Sequence, residues 1–266
     1  MSFTLPLEQA REINLEGTRR MLEFAKLAQD HGGLERYGHV STAYVAGTHE
    51  GRFAERDLDV GQAFNNSYEQ SKFEAEQLVR SRSDLPITIM RPSIVVGDRR
   101  SGWTAAFNVL YWPLRAFARG LFDAVPAVVS APVDVVSVDY VADAIYELCE
   151  GAGGIGETYH LTAGPQASTI GEIARLASGY FRRPIPKVLP PEQFDAGSSE
   201  ALDGSRAYFP YFSMRAVFDE AATRARLEPA GIRVSPLGDY LERLLDFATR
   251  SRWGKRPIAR SDASAA

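Results

Sequence analysis

Two apolar, β-branched runs bracket one amphipathic stretch: residues 39–46 (HVSTAYVA) and 87–96 (ITIM, then SIVV) lie on either side of 67–82. A run without polar alternation reads as a strand covered on both faces, and such strands belong to parallel sheets whose crossovers are helices. Ahead of the first run, residues 7–29 set Ile13, Leu15, Met21, Leu22, Phe24 and Ala25 at mostly helical spacing and end near Gly32-Gly33, which predicts a helix. Helix, strand, helix, strand is the grammar of an α/β protein. It resumes as strand at 134–138, helix from Asp139 to Cys149 and strand in ETYHLTA from Glu157.

From Ser168 the pattern changes to a helix bearing Ile170, Ile173, Ala174, Leu176 and Ala177, a Pro-rich extended piece at 184–191 and two later helices. This predicts a main part over 1–165 and a smaller lobe over 166–256. Residues 257–266 (PIARSDASAA) hold few apolar groups and are expected to be a disordered tail.

Composition narrows the function classes. A net charge of −4 and a pI near 5.7 give no cationic footprint for nucleic acid. Cys149 is the single cysteine, so neither an internal disulfide nor a thiolate metal site can form, which suits a reducing cytoplasm. The N-terminus lacks the basic and apolar regions of a signal peptide. The most apolar stretch, 103–136, is interrupted by Arg115, Arg119, Asp123 and three prolines, so no transmembrane segment is expected. No H-x-x-x-H or E-x-x-H pair suggests a metal site, and His39 and His160 read as structural.

Within 67–82, Tyr68 and Lys72 are four residues apart and share a helix face with Ala75 and Val79. A lysine on a core-facing stripe is costly unless it has a task, while Glu69, Gln70, Glu74 and Gln77 occupy the faces expected to meet water. An ammonium beside a phenol favours phenolate, and a tyrosine tuned toward the working pH can exchange a proton with a carbonyl or alcohol. The bland alternative is a packed tyrosine beside a snorkelling lysine.

The context decides between them. Ser41-Thr42-Ala43 ends the preceding strand, and Arg91-Pro92-Ser93-Ile94-Val95-Val96-Gly97 follows the helix. Here the chain resembles the extended short-chain dehydrogenase/reductase family. Asn14-Leu-Glu-Gly17-Thr18, the stretch from Val136 to Asp143 and Tyr159-His-Leu-Thr162 agree in order with that family's landmarks. The resemblance implies an incomplete Rossmann-like, doubly wound parallel sheet over 1–165, a substrate-lid insertion at 98–132 and a small C-terminal substrate lobe. It also implies roles. Thr42 holds the reacting oxygen, with Ser41 the alternative hydroxyl, and Tyr68 transfers the proton. Lys72 holds the ribose of NAD or NADP and lowers the tyrosine pKa. Asn14 stabilises its helix and a relay water, and the backbone of Pro92, Ser93 and Ile94 borders the nicotinamide.

One family feature is missing. No G-x-x-G-x-x-G occurs, although the family seats its pyrophosphate on such a turn at a helix N-terminus. An upstream unit of roughly 70–90 residues is expected, at about 30 residues per βαβ unit. An incomplete coding frame, a true truncation and a separate chain are the three explanations, and weak cofactor binding is expected of this chain. The segments 41–47 and 64–68 resemble most the male-sterility or fatty acyl reductase branch, which implies a small-molecule carbonyl or acyl thioester substrate. Trp103, Phe107, Tyr111, Leu114, Phe117, Leu121 and Phe122 would line an acyl channel; ordinary core or a homodimer contact are the alternatives. A nucleotide-sugar epimerase or dehydratase, and a cofactor-poor scaffold, are the other functional readings.

Overall fold

The computed structural model describes residues 4–107, 109–121, 124–150, 153–189 and 211–263. The first helical segment has three parts: α1 (Leu7–Arg11), a π-helical turn (Glu12–Glu16) and α2 (Gly17–Gly32). Then come β1 (Tyr37–Val40), β2 (Gly51–Phe53), α3 (Ser67–Arg80), β3 (Ile87–Pro92), β4 (Ile94–Val96) and α4 (Tyr111–Ala118). Next are β5 (Ala124–Pro126), β6 (Pro132–Val133), β7 (Val135–Ser137), α5 (Val138–Cys149) and β8 (Thr158–Leu161). The chain continues with β9 (Ser168–Thr169), α6 (Ile170–Phe181), β10 (Lys187–Leu189), β11 (Ala216–Phe218), α7 (Ala221–Leu227), α8 (Leu241–Arg250) and α9 (Arg260–Ala263).

These elements form an open, doubly wound parallel α/β sheet of Rossmann type with added C-terminal elements, and none closes into a barrel. They fall into two compact units. One draws on residues 1–93, 141–165 and 216–233, the other on 94–140, 166–215 and 234–266. The units thus interleave along the chain, where the composition change suggested one break near residue 165.

In the first unit β1, β3 and β8 pair in parallel in that order, with His39 opposite Ile89 and Arg91 opposite His160. Leu22 and Ala25 of α2 pack with Val79 of α3 and with Ile87 and Ile89 of β3. Of the apolar residues read at helical spacing, Ile13, Met21 and Phe24 lie exposed, on a different face of the segment from the buried Leu22 and Ala25. Strand β2 pairs with β11 in parallel, Gly51 opposite Ala216. Residues 39–46 do not form one strand. The ladder ends after Val40, and Ala43–Ala46 form a buried 3₁₀ turn whose start is capped by Thr42.

In the second unit β4 pairs with β7, β5 with β10 and β6 with β9. Helix α6 opens with a reciprocal capping box between Thr169 and Glu172. The expected tail is ordered over its described part: Ile258 O accepts the Trp103 indole N–H at 3.1 Å, and Ala263 is buried at the end of α9. Pro190, Pro191 and residues 264–266 lie outside the described residues.

Candidate active site

Strand β1 and helix α3 bring the motif together. The Ser41 N–H still donates to Met90 O at 2.8 Å, after which the backbone leaves the sheet. Thr42 is buried and extended. Its Oγ1 accepts the Tyr44 N–H at 3.3 Å and lies 3.5 Å from Pro92 O, and its hydroxyl acts on the Tyr68 phenol. Tyr68 sits in the first turn of α3, which Asn66 caps by accepting the Glu69 N–H at 3.0 Å. The Glu69 carboxylate reaches back to the Asn65 N–H at 2.8 Å. This pairing explains why Glu69, read as facing water, is fully buried. One turn further on, the Lys72 ammonium donates to Val40 O at 2.9 Å. Thr42, Tyr68 and Lys72 therefore converge on the C-terminal end of a parallel strand, where open α/β sheets place their ligands.

The electrostatics differ from the sequence expectation. Burial pushes the Tyr68 phenol up, the Thr42 hydrogen bond opposes this and the Glu69 charge adds to it. Lys72 is itself pushed down by burial, with Glu76 opposing, and its ammonium faces the Val40 carbonyl. Tyr68 is accordingly a neutral phenol, the form that donates a proton.

Ser41 turns away from this group and donates to Glu76 Oε2 at 2.6 Å. Glu76 is fully buried on α3. Burial works to raise its pKa, and the charge and hydrogen bonds of Arg91, with help from Ser41 and Arg80, overcome that and hold it low. Arg91, also fully buried, donates to Glu76 at 2.6 Å, to Asp57 O at 2.7 Å and to His160 Nε2 at 3.1 Å. His160 Nε2 is thus an acceptor, which puts the ring proton on Nδ1, 2.7 Å from Asp219 O. Glu55 accepts the Ala222 and Thr223 N–H groups at 2.8 and 2.9 Å, closing the start of α7. Neither Glu76 nor Glu55 stands out among the motifs of the sequence. A signal existed only for the first, which continues the Tyr68 and Lys72 spacing by one more turn.

Asn14 lies in the π-helical turn. Its Nδ2 donates to Ser71 Oγ at 2.9 Å, and Ser71 Oγ donates to Tyr68 O at 3.1 Å, so Asn14 is tied to the backbone of the Tyr68 turn. Pro92 ends β3, the Ser93 N–H donates to Leu161 O at 3.2 Å, and Ile94 starts β4. Among the described residues the buried Ser93 Oγ and Thr162 Oγ1 have no hydrogen-bond partner. An unpartnered hydroxyl on the segment following β3, with Tyr68 and Lys72 at the end of the neighbouring strand, fits the nicotinamide ribose of NAD(P). No group of three His, Cys, Asp or Glu among the described residues could hold a metal ion.

The second unit contains an apolar cavity of about 90 Å³, lined among others by Val109, Leu114, Phe117, Val133, Ile173 and Ala177. The aromatic segment divides around it. Leu114 and Phe117 face the cavity, Tyr111 is buried with its hydroxyl accepting the Gly97 N–H, and Phe107 stacks on Phe247. Leu121 is exposed and Phe122 lies outside the described residues.

An open parallel sheet presenting Thr, Tyr and Lys in this arrangement defines an extended short-chain dehydrogenase/reductase. Residues 1–145 match the male sterility protein model of NAD-binding domains, and the chain belongs to that family. A Drosophila melanogaster protein provisionally named fatty acyl-CoA reductase CG8303 is 28% identical over 174 residues, 53% of this chain and 32% of that protein. An Arabidopsis thaliana protein provisionally named fatty acyl-CoA reductase 5 is 26% identical over 44% of this chain and 25% of its own length. The chain thus spans a third or less of these relatives. The terminal R domain of the myxalamid PKS-NRPS pathway superposes with a TM-score of 0.80 at 26% identity, over 97% of this chain and 68% of that one. The thiolation-reductase di-domain of an archaeal non-ribosomal peptide synthetase gives 0.73 at 22%, over 91% and 54%. Among the described residues no helix is long and apolar enough to cross a membrane.

Proposed function

We propose that this chain is the catalytic part of an NAD(P)-dependent reductase acting on an acyl thioester or a related carbonyl. The observation that carries the proposal is that Tyr68, in the first turn of α3, and the buried Thr42 lie at a strand end that also receives the Lys72 ammonium. The cofactor, when bound, supplies the hydride that reaches the carbonyl carbon. The chain's own residues manage the oxygen: the Thr42 hydroxyl holds it, and the neutral Tyr68 phenol gives it a proton as negative charge develops there. Asn14 and Ser71 fix the backbone of the turn that carries Tyr68.

The acyl part of the proposal is supported by the apolar cavity of the second unit, whose lining among the described residues offers no polar side chain to a sugar hydroxyl except that of Tyr211. It is also supported by the reductases among the similar proteins. Nucleotide-sugar enzymes such as a dTDP-glucose 4,6-dehydratase, at 16% identity, share the fold alone.

The test is reduction of acyl thioesters and simple carbonyls by the wild-type chain and by Tyr68→Phe. Removal of the phenolic proton is expected to lower turnover by roughly 10²–10⁴-fold with little change in cofactor affinity. Near wild-type turnover in Tyr68→Phe refutes the mechanism. Because no glycine-rich turn is present to take the pyrophosphate, we expect weak NAD(H) or NADP(H) binding by the 266-residue chain. Sub-micromolar affinity by calorimetry contradicts that expectation.

A further inference from the structure

The buried charges of the first unit form a closed circuit behind the candidate site. Tyr68, Lys72 and Glu76 follow one another at intervals of four along α3, so they lie on one helix face. Glu76 Oε2 accepts the Ser41 hydroxyl at 2.6 Å and the Arg91 Nε at 3.0 Å, and its Oε1 accepts Arg91 Nη2 at 2.6 Å and Arg80 Nε at 3.0 Å. The Ser41 N–H in turn donates to Met90 O at 2.8 Å, and Arg91 is the next residue. From Glu76 the path thus runs through Ser41 to β3 and returns through Arg91. The peptide between Val40 and Ser41 belongs to this circuit. Its N–H is the Ser41 donor, and its carbonyl, Val40 O, receives the Lys72 ammonium at 2.9 Å.

The negative charge of Glu76 matters as well as its reach. Burial works against the Lys72 ammonium, and Glu76 is the group that opposes this. The other charges on and around α3 are engaged elsewhere. Glu69 turns its carboxylate back to the Asn65 N–H, and Arg11 pairs with Glu74, Glu12 with Arg20 and Glu16 with Arg19. From β1, His39 faces Lys72 and is neutral, pushed down to about 4 by burial first and by the ammonium second. Arg91 and Arg80 meet Glu76, not Lys72. A buried ion pair by itself adds little stability, because desolvation of the two charges offsets their attraction. Here the carboxylate has a further effect, since a second buried cation lies one turn along the same helix.

We propose that Glu76 is a positioning residue of the candidate site: through Ser41 it fixes the peptide whose carbonyl holds the Lys72 ammonium, and it sets a negative charge one helical turn from that ammonium. This rests on the reductase reading above, in which Lys72 holds the cofactor ribose, and adds to it the group that keeps Lys72 in place and charged. Glu76 acts through Lys72 and not on the reacting atoms.

The experiment follows Lys72 directly, by carbon-13 NMR of the full chain labelled at lysine Cε. The sequence has four lysines, so the Lys72 signal is assigned by its loss in Lys72→Arg. Removing an anion disfavours an ammonium, so in Glu76→Gln Lys72 should lose its proton at a pH lower by about one pH unit. Glu76→Gln leaves Arg91 and Arg80 without this carboxylate and is expected to lose stability. The double variant Glu76→Gln, Arg91→Gln removes charge of both signs and should fold, with the change in the same direction because Lys72 faces Glu76 and not Arg91. Glu76→Asp keeps the charge, so it should bring the titration back toward wild type even where stability falls, which a role in packing alone does not explain. Ser41→Ala cuts the link to the peptide and leaves the charge: the Lys72 titration should stay close to that of the wild type, while KM for NAD(P)H rises several-fold and kcat changes less. Lys72 titrating alike in the wild type, in Glu76→Gln and in the double variant overturns the proposal. So does a Glu76→Asp chain that titrates like Glu76→Gln, or a cofactor KM unmoved by Ser41→Ala. The titration is read without cofactor or substrate, which separates the two levels. Absence of carbonyl reduction by the wild type removes the reductase reading and leaves the Lys72 result, whereas reduction with an unmoved Lys72 titration keeps the reductase and removes the role of Glu76.

Discussion

At the scale of single residues, two adjacent hydroxyls have different surroundings. Ser41 points into the buried Glu76–Arg91 pair, while Thr42 meets Tyr68. Thr42→Val should therefore cost more turnover than Ser41→Ala, and Ser41→Ala should cost more stability, about 1–3 kcal/mol for a hydrogen bond to a buried charge. Steady-state kinetics and urea unfolding of both variants check this together. The Thr, Tyr and Lys positions were legible because their motif is local: a strand end, a helix four residues apart, a following Arg-Pro. The direction of the Tyr68 shift was not, because it depends on how deeply the phenol is buried and on where the Lys72 ammonium finds its acceptor. Glu55 was illegible for a related reason, since its partners Ala222 and Thr223 lie far along the chain.

At the scale of elements, helices were read more accurately than strand ends. Periodicity marks a helix along its whole length, but nothing in an apolar run says where the ladder stops. Thr42 stops it at β1 by capping a 3₁₀ turn, so the segment 43–46 is buried without being a strand. The apolar cavity beside α4 and α6 belongs to this scale too. Ala177 is buried on its wall. If the cavity serves an acyl chain, Ala177→Leu should raise the melting temperature while shifting substrate preference toward shorter acyl groups. Thermal denaturation and a chain-length series measure the two effects. A stabilised variant with an unchanged chain-length profile would make the cavity a packing defect.

At the scale of the whole molecule, stability should depend on pH through two buried histidines. Burial first, and Lys72 second, depress His39 to about 4; burial first, and Arg91 second, depress His160 to about 3. Both rings stay neutral when folded, whereas in the unfolded chain they take up protons near 6.5. Their contribution is therefore complete above pH 6.5 and is lost as pH falls toward 4 and then 3, amounting to several kcal/mol together. Unfolding by urea at pH 7.5 and at pH 5 should show a marked loss before most carboxylates titrate. His39→Phe should flatten that dependence, and an unaltered slope in that variant would contradict the assignment.

The pairing of β2 with β11 has a consequence in time. Gly51 is made early and its partner Ala216 is made 165 residues later. At about 5–20 residues per second, the nascent chain carries an unpaired β2 for roughly ten to thirty seconds before β11 is even synthesised. Glu55 waits as long for the helix start it will close. The first unit is thus finished late although most of its sequence comes early, and a ribosome stalled between residues 93 and 216 would display an open strand edge to its surroundings.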